Sequence, residues 1–297
     1  MFDLMTIGQI AINGLLLGGI YALISIGLTI IFGVIRVINF AHGEFLMLSM
    51  YASFWLFQLL GIDPYVSILI IIPIFFIAGW LTQRAFIQPI LKGPALMQIF
   101  ITVGVSLAMM NGALFLWKAD YRSVTPSYAA VTFKMGDFLI GLPRLVAFFS
   151  SIVIVLILYL FLKKTHLGRA IRAVAQDREA ALLMGINMHR IYLIAFGIGT
   201  ACVGVAGPLL LPIYPVFPTV GTYFVLIAFV VVVLGGMGNM TGAFLGGLII
   251  GLIEAFSGFF ITPQLQSLVY FVVFILLLLL KPSGLMGVVG AEEIGMK

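Results

Sequence analysis

Few residues in this chain have side chains that can do chemistry, and their spacing limits what that chemistry could be. Asn39, His42 and Glu44 fall within VINFAHGEFLMLSMY, residues 37–51, at the head of an apolar run that continues to about residue 60. Polar and ionisable groups at the end of an apolar span, or inside one, are costly unless they meet water or a partner. Two readings follow. Asn39 caps the helix and Glu44 sits in its first turn, where the macrodipole favours an acid; or Asn39, His42 and Glu44 line the mouth of a passage. Gln98, Thr102 and Ser106 are spaced four apart and share one helix face. Such a stripe serves either as glue between helices or as part of a polar path. Glu254 is a lone charge near the far end of another apolar stretch, residues 242–259.

An enzyme reading fails on inventory. There is no G-x-x-x-x-G-K-[ST] phosphate loop and no H-E-x-x-H metal helix. Glu44 and Glu254 are far apart in sequence, so no pair of carboxylates shares one intramembrane face. The single cysteine, Cys202, lies in an apolar span and supports neither a disulfide framework nor a cysteine metal cluster. No catalytic residue, metal site or cofactor is expected.

Composition sets the frame around these residues. Of 297 residues, 63% are hydrophobic and 8% charged, against about 25% charged in a soluble domain. The mean hydropathy is +1.26. A chain this apolar cannot cover its surface with polar groups, so it is a polytopic membrane protein. Runs such as 223–234 and 271–280 lack the alternation of a membrane β-barrel. The expected fold is all-α: a single domain, residues 1–297, forming a transmembrane helical bundle of about 8–9 spans at roughly 20 residues each. The net charge of +5 gathers in loops between spans, which is a topology signal rather than a nucleic-acid one. The N-terminus, MFDLMTIGQI, carries an acid and no basic residue, the wrong flank for a signal peptide, so the first span is expected to be retained.

The spans read as 10–35, a second to about 60, 65–83 with Pro73 as a kink, 95–117, 145–162, 191–211, 223–234, 242–259 and 264–280. The first is rich in small residues that let helices approach closely. Asp63 marks a turn, residues 84–92 a basic loop, and 118–144 a long external loop with a small hairpin near 131–133. Three prolines, Pro212, Pro215 and Pro218, cannot lie in one regular helix. They mark an outer loop, or an irregular segment buried in protein or lining a cavity. The short seventh span ends at Gly235, Gly236, Met237, Gly238 and Asn239, the pattern of a broken helix at a transport site. A faint internal echo sets Gly19 against Gly221, Gly33 against Gly235 and Asn39 against Asn239.

Residues 163–190 are the one long polar island, with six of the 15 basic residues: Lys163, Lys164, Arg169, Arg172, Arg178 and Arg190. By the positive-inside rule this loop is cytoplasmic, which places the N-terminus outside and the C-terminus inside. Within it, Asp177 can cap a short helix, Glu179 lies in its first turn, and Gly185 stands where a left-handed residue ends it. Asn187 can cap the next span. Ala180 and Ala181 are the expected contact surface for a soluble partner. The plainer alternative is an amphipathic connector lying on the membrane.

Three stretches carry a resemblance. Glu179–Ala180–Ala181 followed by Gly185 resembles the EAA-type coupling loop of ABC importer permeases. INFAHGEFLMLSMY and LGGMGNMTGAFLGG, residues 234–247, resemble the permease subunit of branched-chain amino acid ABC importers, the shorter of two paired permeases. The resemblance spans essentially the whole chain. It implies ATPase coupling through Asp177, Arg178, Glu179, Ala180, Ala181 and Gly185. It implies a translocation path that includes Asn39, His42, Glu44, Gly235, Gly236, Gly238 and Asn239. The implied partners are a second homologous permease, two cytoplasmic ABC ATPase subunits, an extracytoplasmic solute-binding protein and the lipid bilayer of a bacterial or archaeal cytoplasmic membrane. ATP hydrolysis would reside in the separate ATPases. Relatives of this superfamily also carry urea or short amides. An ion-coupled secondary transporter is the rival from another class.

Overall fold

Leu4–Ile35 folds as one uninterrupted helix, α1, about 48 Å long at 1.5 Å per residue. It forms the axis of the bundle in a computed structural model that describes residues 4–91 and 93–287. Asp3, Lys92 and the tail after residue 287, all used in the sequence reading, lie outside the described residues. The remaining elements are α2 (His42–Leu60), α3 (Pro64–Thr82), α4 (Ala95–Trp117), a hairpin of β1 (Thr132–Met135) and β2 (Phe138–Gly141), α5 (Leu142–Lys164), α6 (His166–Gln176), α7 (Arg178–Leu183), α8 (Met188–Leu210), α9 (Val220–Gly235), α10 (Met240–Phe260) and α11 (Gln266–Leu280). Among the described residues, eight helical segments are long and apolar enough to cross a membrane, and α9 is a shorter apolar helix. α3 runs unbroken through Pro73 and continues in a π turn, Gln83–Ile87, and a 3₁₀ turn, Gln88–Ile90.

The two ends of the bundle are identified by their contacts. At one end, Gln9 Nε2 donates to the Leu139 carbonyl (2.8 Å) and Tyr128 OH donates to Asp63 (3.0 Å), so the start of α1, the hairpin and the α2–α3 turn lie together. At the other end, Arg178 donates to the Ile35 carbonyl (2.6 Å), and the Gln88 and His189 side chains meet at 3.0 Å. We call these the hairpin end and the connector end.

Two of the nine expected spans are only partial. α1 stops at Ile35, and Arg36 adopts φ +58°. Residues 36–41 then run back into the bundle without helix. α2 begins beside the middle of α1, where His42 Nε2 donates to the Ile24 carbonyl (2.9 Å), about 17 Å from the end of α1 at helical rise. α2 proceeds to the hairpin end. α8 ends at Leu210 near the hairpin end, and residues 211–219 turn back inward. Val216, fully buried, exchanges both backbone hydrogen bonds with Arg122 (2.8 and 2.9 Å). α9 starts part-way in and runs to the connector end, where Gly238 packs on Gly33. Backbone that leaves the helix at membrane depth survives only when buried in protein or lining a cavity; Val37, Asn39 and Ala41 of the first segment and Leu211, Val216 and Pro218 of the second are buried.

The paired contacts reveal an inverted repeat. α1 packs along α10 and α8 along α3; α2 lies beside α8 and α9 beside α1; α4 covers α2 and α11 covers α9. The units α1–α4 and α8–α11 are therefore related by a pseudo-two-fold that turns one end of the bundle into the other. The axis passes between Gly27 and Gly199, where a Cβ on either would stand 2.5–2.6 Å from the other's carbonyl oxygen. This corrects the echo read from sequence, which set α1 against α9 and α2 against α10. Asn239 caps α10 at the connector end, whereas Asn39 is buried deep in the bundle.

Candidate functional site

The partial helices α2 and α9 meet head to head. A Cβ on Gly43 would collide with the Gly221 carbonyl, and one on Gly221 would stand 2.5 Å from the Gly43 carbonyl oxygen and 2.6 Å from Glu44 Oε2. Only glycine at both positions allows this approach. The consequence is that the positive ends of two helix dipoles point at one another in the bundle centre, a place that attracts acids.

Two acids are there. Glu44, in the first turn of α2, is 1% exposed; its Oε1 accepts from Ser106 Oγ on α4 (3.3 Å) and its Oε2 has no partner. Glu254, on α10, is 5% exposed; its Oε1 accepts from Tyr223 OH (2.9 Å) and its Oε2 also lacks a partner. Because Gly221 and Tyr223 both lie in the first turn of α9, the two carboxylates flank that turn from opposite sides. Tyr21 and Tyr214 also stand within electrostatic reach of Glu254. Sequence distance hid this convergence. A lone acid in an apolar helix was the available signal for Glu254, and it lies as expected toward the far end of its helix, α10.

Asn39 and His42 join the centre. Asn39 is fully buried and neither atom of its amide has a partner; His42 uses Nε2 on Ile24 and leaves Nδ1 free. Asn39 does not cap α2: the residue before the helix is Ala41, which offers no side-chain cap. Buried polar groups normally find partners, so a cluster of orphans marks a place the fold keeps polar. Two residues of the stripe on α4 act as glue, while Gln98 turns to the Leu91 and Gly93 carbonyls of the loop before its own helix. Thr102 Oγ1 donates to the Ile38 carbonyl (3.0 Å) and Ser106 reaches Glu44, tying α4 to the re-entrant segment.

Gly235, Gly236, Gly238 and Asn239 are not at this centre. Gly236 (φ +103°) and Gly238 (φ +82°) make the turn between α9 and α10 at the connector end, and Asn239 Oδ1 caps α10 through Gly242 N–H (3.0 Å). The broken-helix reading of this glycine run is therefore replaced. The breaks at depth are 36–41 and 211–219, while the glycine run lies a helix length away, about 24 Å at helical rise.

The connector forms a second feature. α6 is strongly amphipathic, with Gly168, Ile171 and Val174 turned into the bundle and its N-terminus capped by Thr165 Oγ1 (2.9 Å from Gly168 N). α7 is built as its sequence suggests. Asp177 Oδ1 accepts from Glu179 N–H (2.9 Å) and Ala180 N–H (3.0 Å), Gly185 closes it at φ +77°, and Asn187 caps α8 (3.1 Å). Arg178 straps it to the bundle by donating to the Val34 (3.2 Å) and Ile35 (2.6 Å) carbonyls, the unsatisfied end of α1. Burial lowers the pKa of this guanidinium, and neighbouring Arg36 adds to the effect against an opposing contribution from Tyr192. The strap rotates Ala181 inward to 3% exposure, so Ala181 is not part of the outer surface as expected. Ala180 is exposed as expected, and the apolar part of that surface is Leu182, Leu183 and Met184, at 60%, 88% and 81% exposure.

Known proteins give this geometry a context. A family model described as branched-chain amino acid transport system / permease component matches residues 10–278. The high-affinity branched-chain amino acid transport system permease protein LivH of Escherichia coli K12 is 33% identical, covering 95% of this chain and 96% of its own. BraD of Pseudomonas aeruginosa, named for the same system, is 33% identical over 96% of this chain and 97% of its own. The ribose import permease protein RbsC of Bacillus subtilis is 27% identical over 82% and 72%. No solved structure matches.

Proposed function

The chain belongs to the branched-chain amino acid transport permease family, and from that premise we propose that it forms the membrane path of an ATP-driven importer of leucine, isoleucine and valine. It acts in a bacterial or archaeal cytoplasmic membrane with its connector end inside, so that the N-terminus is outside and the C-terminus inside. The positive-inside rule supports this side, because Lys163, Lys164, Arg169, Arg172 and Arg190 gather at the connector end. Its partners are a second homologous permease, two cytoplasmic ATPase subunits and an extracytoplasmic solute-binding protein.

The observation that carries the mechanism is the strap between Arg178 and the end of α1. The exposed tip Leu182–Met184 seats in a groove of the ATPase. Movement of α7, with Asp177, Glu179, Ala180 and Gly185 holding its shape, passes through Arg178 into α1. α1 contacts both α9 and α10, so its displacement changes the α2–α9 junction. When the junction parts, two helix N-termini suit the substrate carboxylate. Glu44, with Asn39 and His42 beside it, suits the ammonium group, and apolar walls take the branched side chain.

The test is uptake of labelled leucine into proteoliposomes holding the permease with its co-purifying partners. Uptake should require ATP and survive collapse of ion gradients, and excess isoleucine, but not urea or ribose, should compete. Uptake that follows an ion gradient without ATP would overturn the reading. Leu183→Arg should abolish ATP-driven uptake while leaving the melting temperature unchanged, since Leu183 is 88% exposed.

A further inference from the structure

A cavity of about 720 Å³ opens at the connector end, between the ends of α1 and α5, the inner side of α6 and the α9–α10 turn. It is separate from the α2–α9 junction, and its lining is mixed: Ile30, Phe32, Ile171 and Met237 are apolar, while Arg36, Lys163 and Arg172 are cationic. No described acid lines it. Lys163 sits on the Tyr159 ring (5.6 Å), and Arg172 reaches only the Lys163 carbonyl (3.4 Å). Arg36 has no side-chain partner among the described residues, because Arg178 has already taken the carbonyls at the end of α1. Met240 and Thr241, the first two residues of α10, also line the cavity, and the first N–H groups of a helix have no partner within it. Three cations and a helix N-terminus therefore line one space with no counter-ion among the described residues, together with apolar side chains at the depth where membrane helices end.

We propose that this cavity binds an anionic phospholipid, with the phosphate held by Arg36, Lys163, Arg172 and the α10 N-terminus and the upper acyl chain against Ile30, Phe32 and Met237. Basic pockets between membrane helices on the cytoplasmic side recognise lipid headgroups by this combination. A free phosphate would satisfy the cations but leave the apolar side chains wet. Because α6 and α7 are joined only through Asp177, a lipid seated under α6 would set the position of the connector.

The experiment uses the full chain purified in mild detergent, with phosphatidylglycerol, phosphatidylcholine of the same acyl chains and inorganic phosphate as probes. Binding is read by native mass spectrometry and by the shift in melting temperature. Phosphatidylglycerol should be retained and should raise the melting temperature, while phosphatidylcholine and millimolar phosphate should not. The variant Arg36→Gln/Lys163→Gln/Arg172→Gln should bind phosphatidylglycerol roughly a hundredfold more weakly, at about one charge contact per cation. Lys164→Gln/Arg169→Gln/Arg190→Gln, an equal charge change at the same end, should bind it as the unaltered chain does. Equal shifts from both lipids, a shift reproduced by phosphate, or equal loss in the two triple variants would overturn the proposal. So would displacement by leucine, which would make the cavity part of the substrate path, or retention of lipid only after removal of residues 288–297, which would assign the space to the chain's own C-terminus. The lipid comparison on the unaltered chain decides the matter even if the triple variant does not fold.

Discussion

Where α2 begins, the chain presents Asn39, His42 and Glu44; where α9 begins, it presents Thr219, Val220, Gly221 and Thr222. The two units place these starts in equivalent positions, head to head, yet only the first carries an acid and orphaned polar groups at the helix start itself. The second obtains a carboxylate indirectly, from Glu254 on α10 through Tyr223. Its re-entrant segment is stiffened by Pro212, Pro215 and Pro218, and its inward polar group is Tyr214. An inverted repeat fixes backbone geometry, while side chains are free to diverge, so the two units share a shape and divide the roles. On the proposed function, the first unit would meet the solute and the second would brace the junction.

That division can be broken at the shared contact first. Gly221→Leu should have the largest effect, because the added side chain meets the Gly43 backbone and Glu44, and overpacking typically costs about 1–3 kcal/mol or more. The expected result is little folded protein in membrane extracts, and normal accumulation would sink the head-to-head arrangement. The next effect tests which unit the connector drives. Arg178→Ala removes two charge-assisted hydrogen bonds at the end of α1, worth about 2 kcal/mol for a half-buried donor. ATP-driven leucine uptake should fall strongly while co-purification of the ATPase persists, and unchanged uptake would detach the connector from α1. The acids sharpen the comparison. Glu44→Gln should lower uptake about tenfold if that carboxylate meets a charged solute in a dry site, whereas Glu254→Gln, whose amide oxygen can still accept from Tyr223, should cost about twofold. Equal losses would show that both units face the solute. The smallest effect belongs to Asn239→Ala. Loss of the α10 cap should cost about 1 kcal/mol of stability in a denaturant titration and leave uptake nearly unchanged. A large loss of uptake would return the glycine turn to the path.

Much of this fold is legible in the chain because it depends on local chemistry. Long apolar runs must become helices in lipid, since every backbone group needs a partner there. Asp177, Gly185 and Asn187 specify the ends of their helices with groups one to three residues away. The connector helix was therefore readable residue by residue, apart from its rotation. The partial spans were less so: 37–60 and 223–234 look like ordinary or short spans, because hydropathy records what a segment lies in and not how deep it starts. The echo misled for a related reason, as glycine-rich apolar helices resemble one another whichever way they run.

By itself the sequence determined the helical class, the polar connector with its caps, the scarcity of reactive side chains, and the family likeness in NFAHGEF and LGGMGNMTGAFLGG. Tertiary structure alone decided that Glu44 and Glu254, 210 positions apart, flank one helical turn, that Ala181 faces inward, and that two helices start in the middle of the bundle. The physical reason is range. Caps and hydropathy act over a few residues along the chain, whereas the convergence of carboxylates and helix N-termini depends on how α1 and α8 cross at Gly27 and Gly199, a contact that no local pattern encodes.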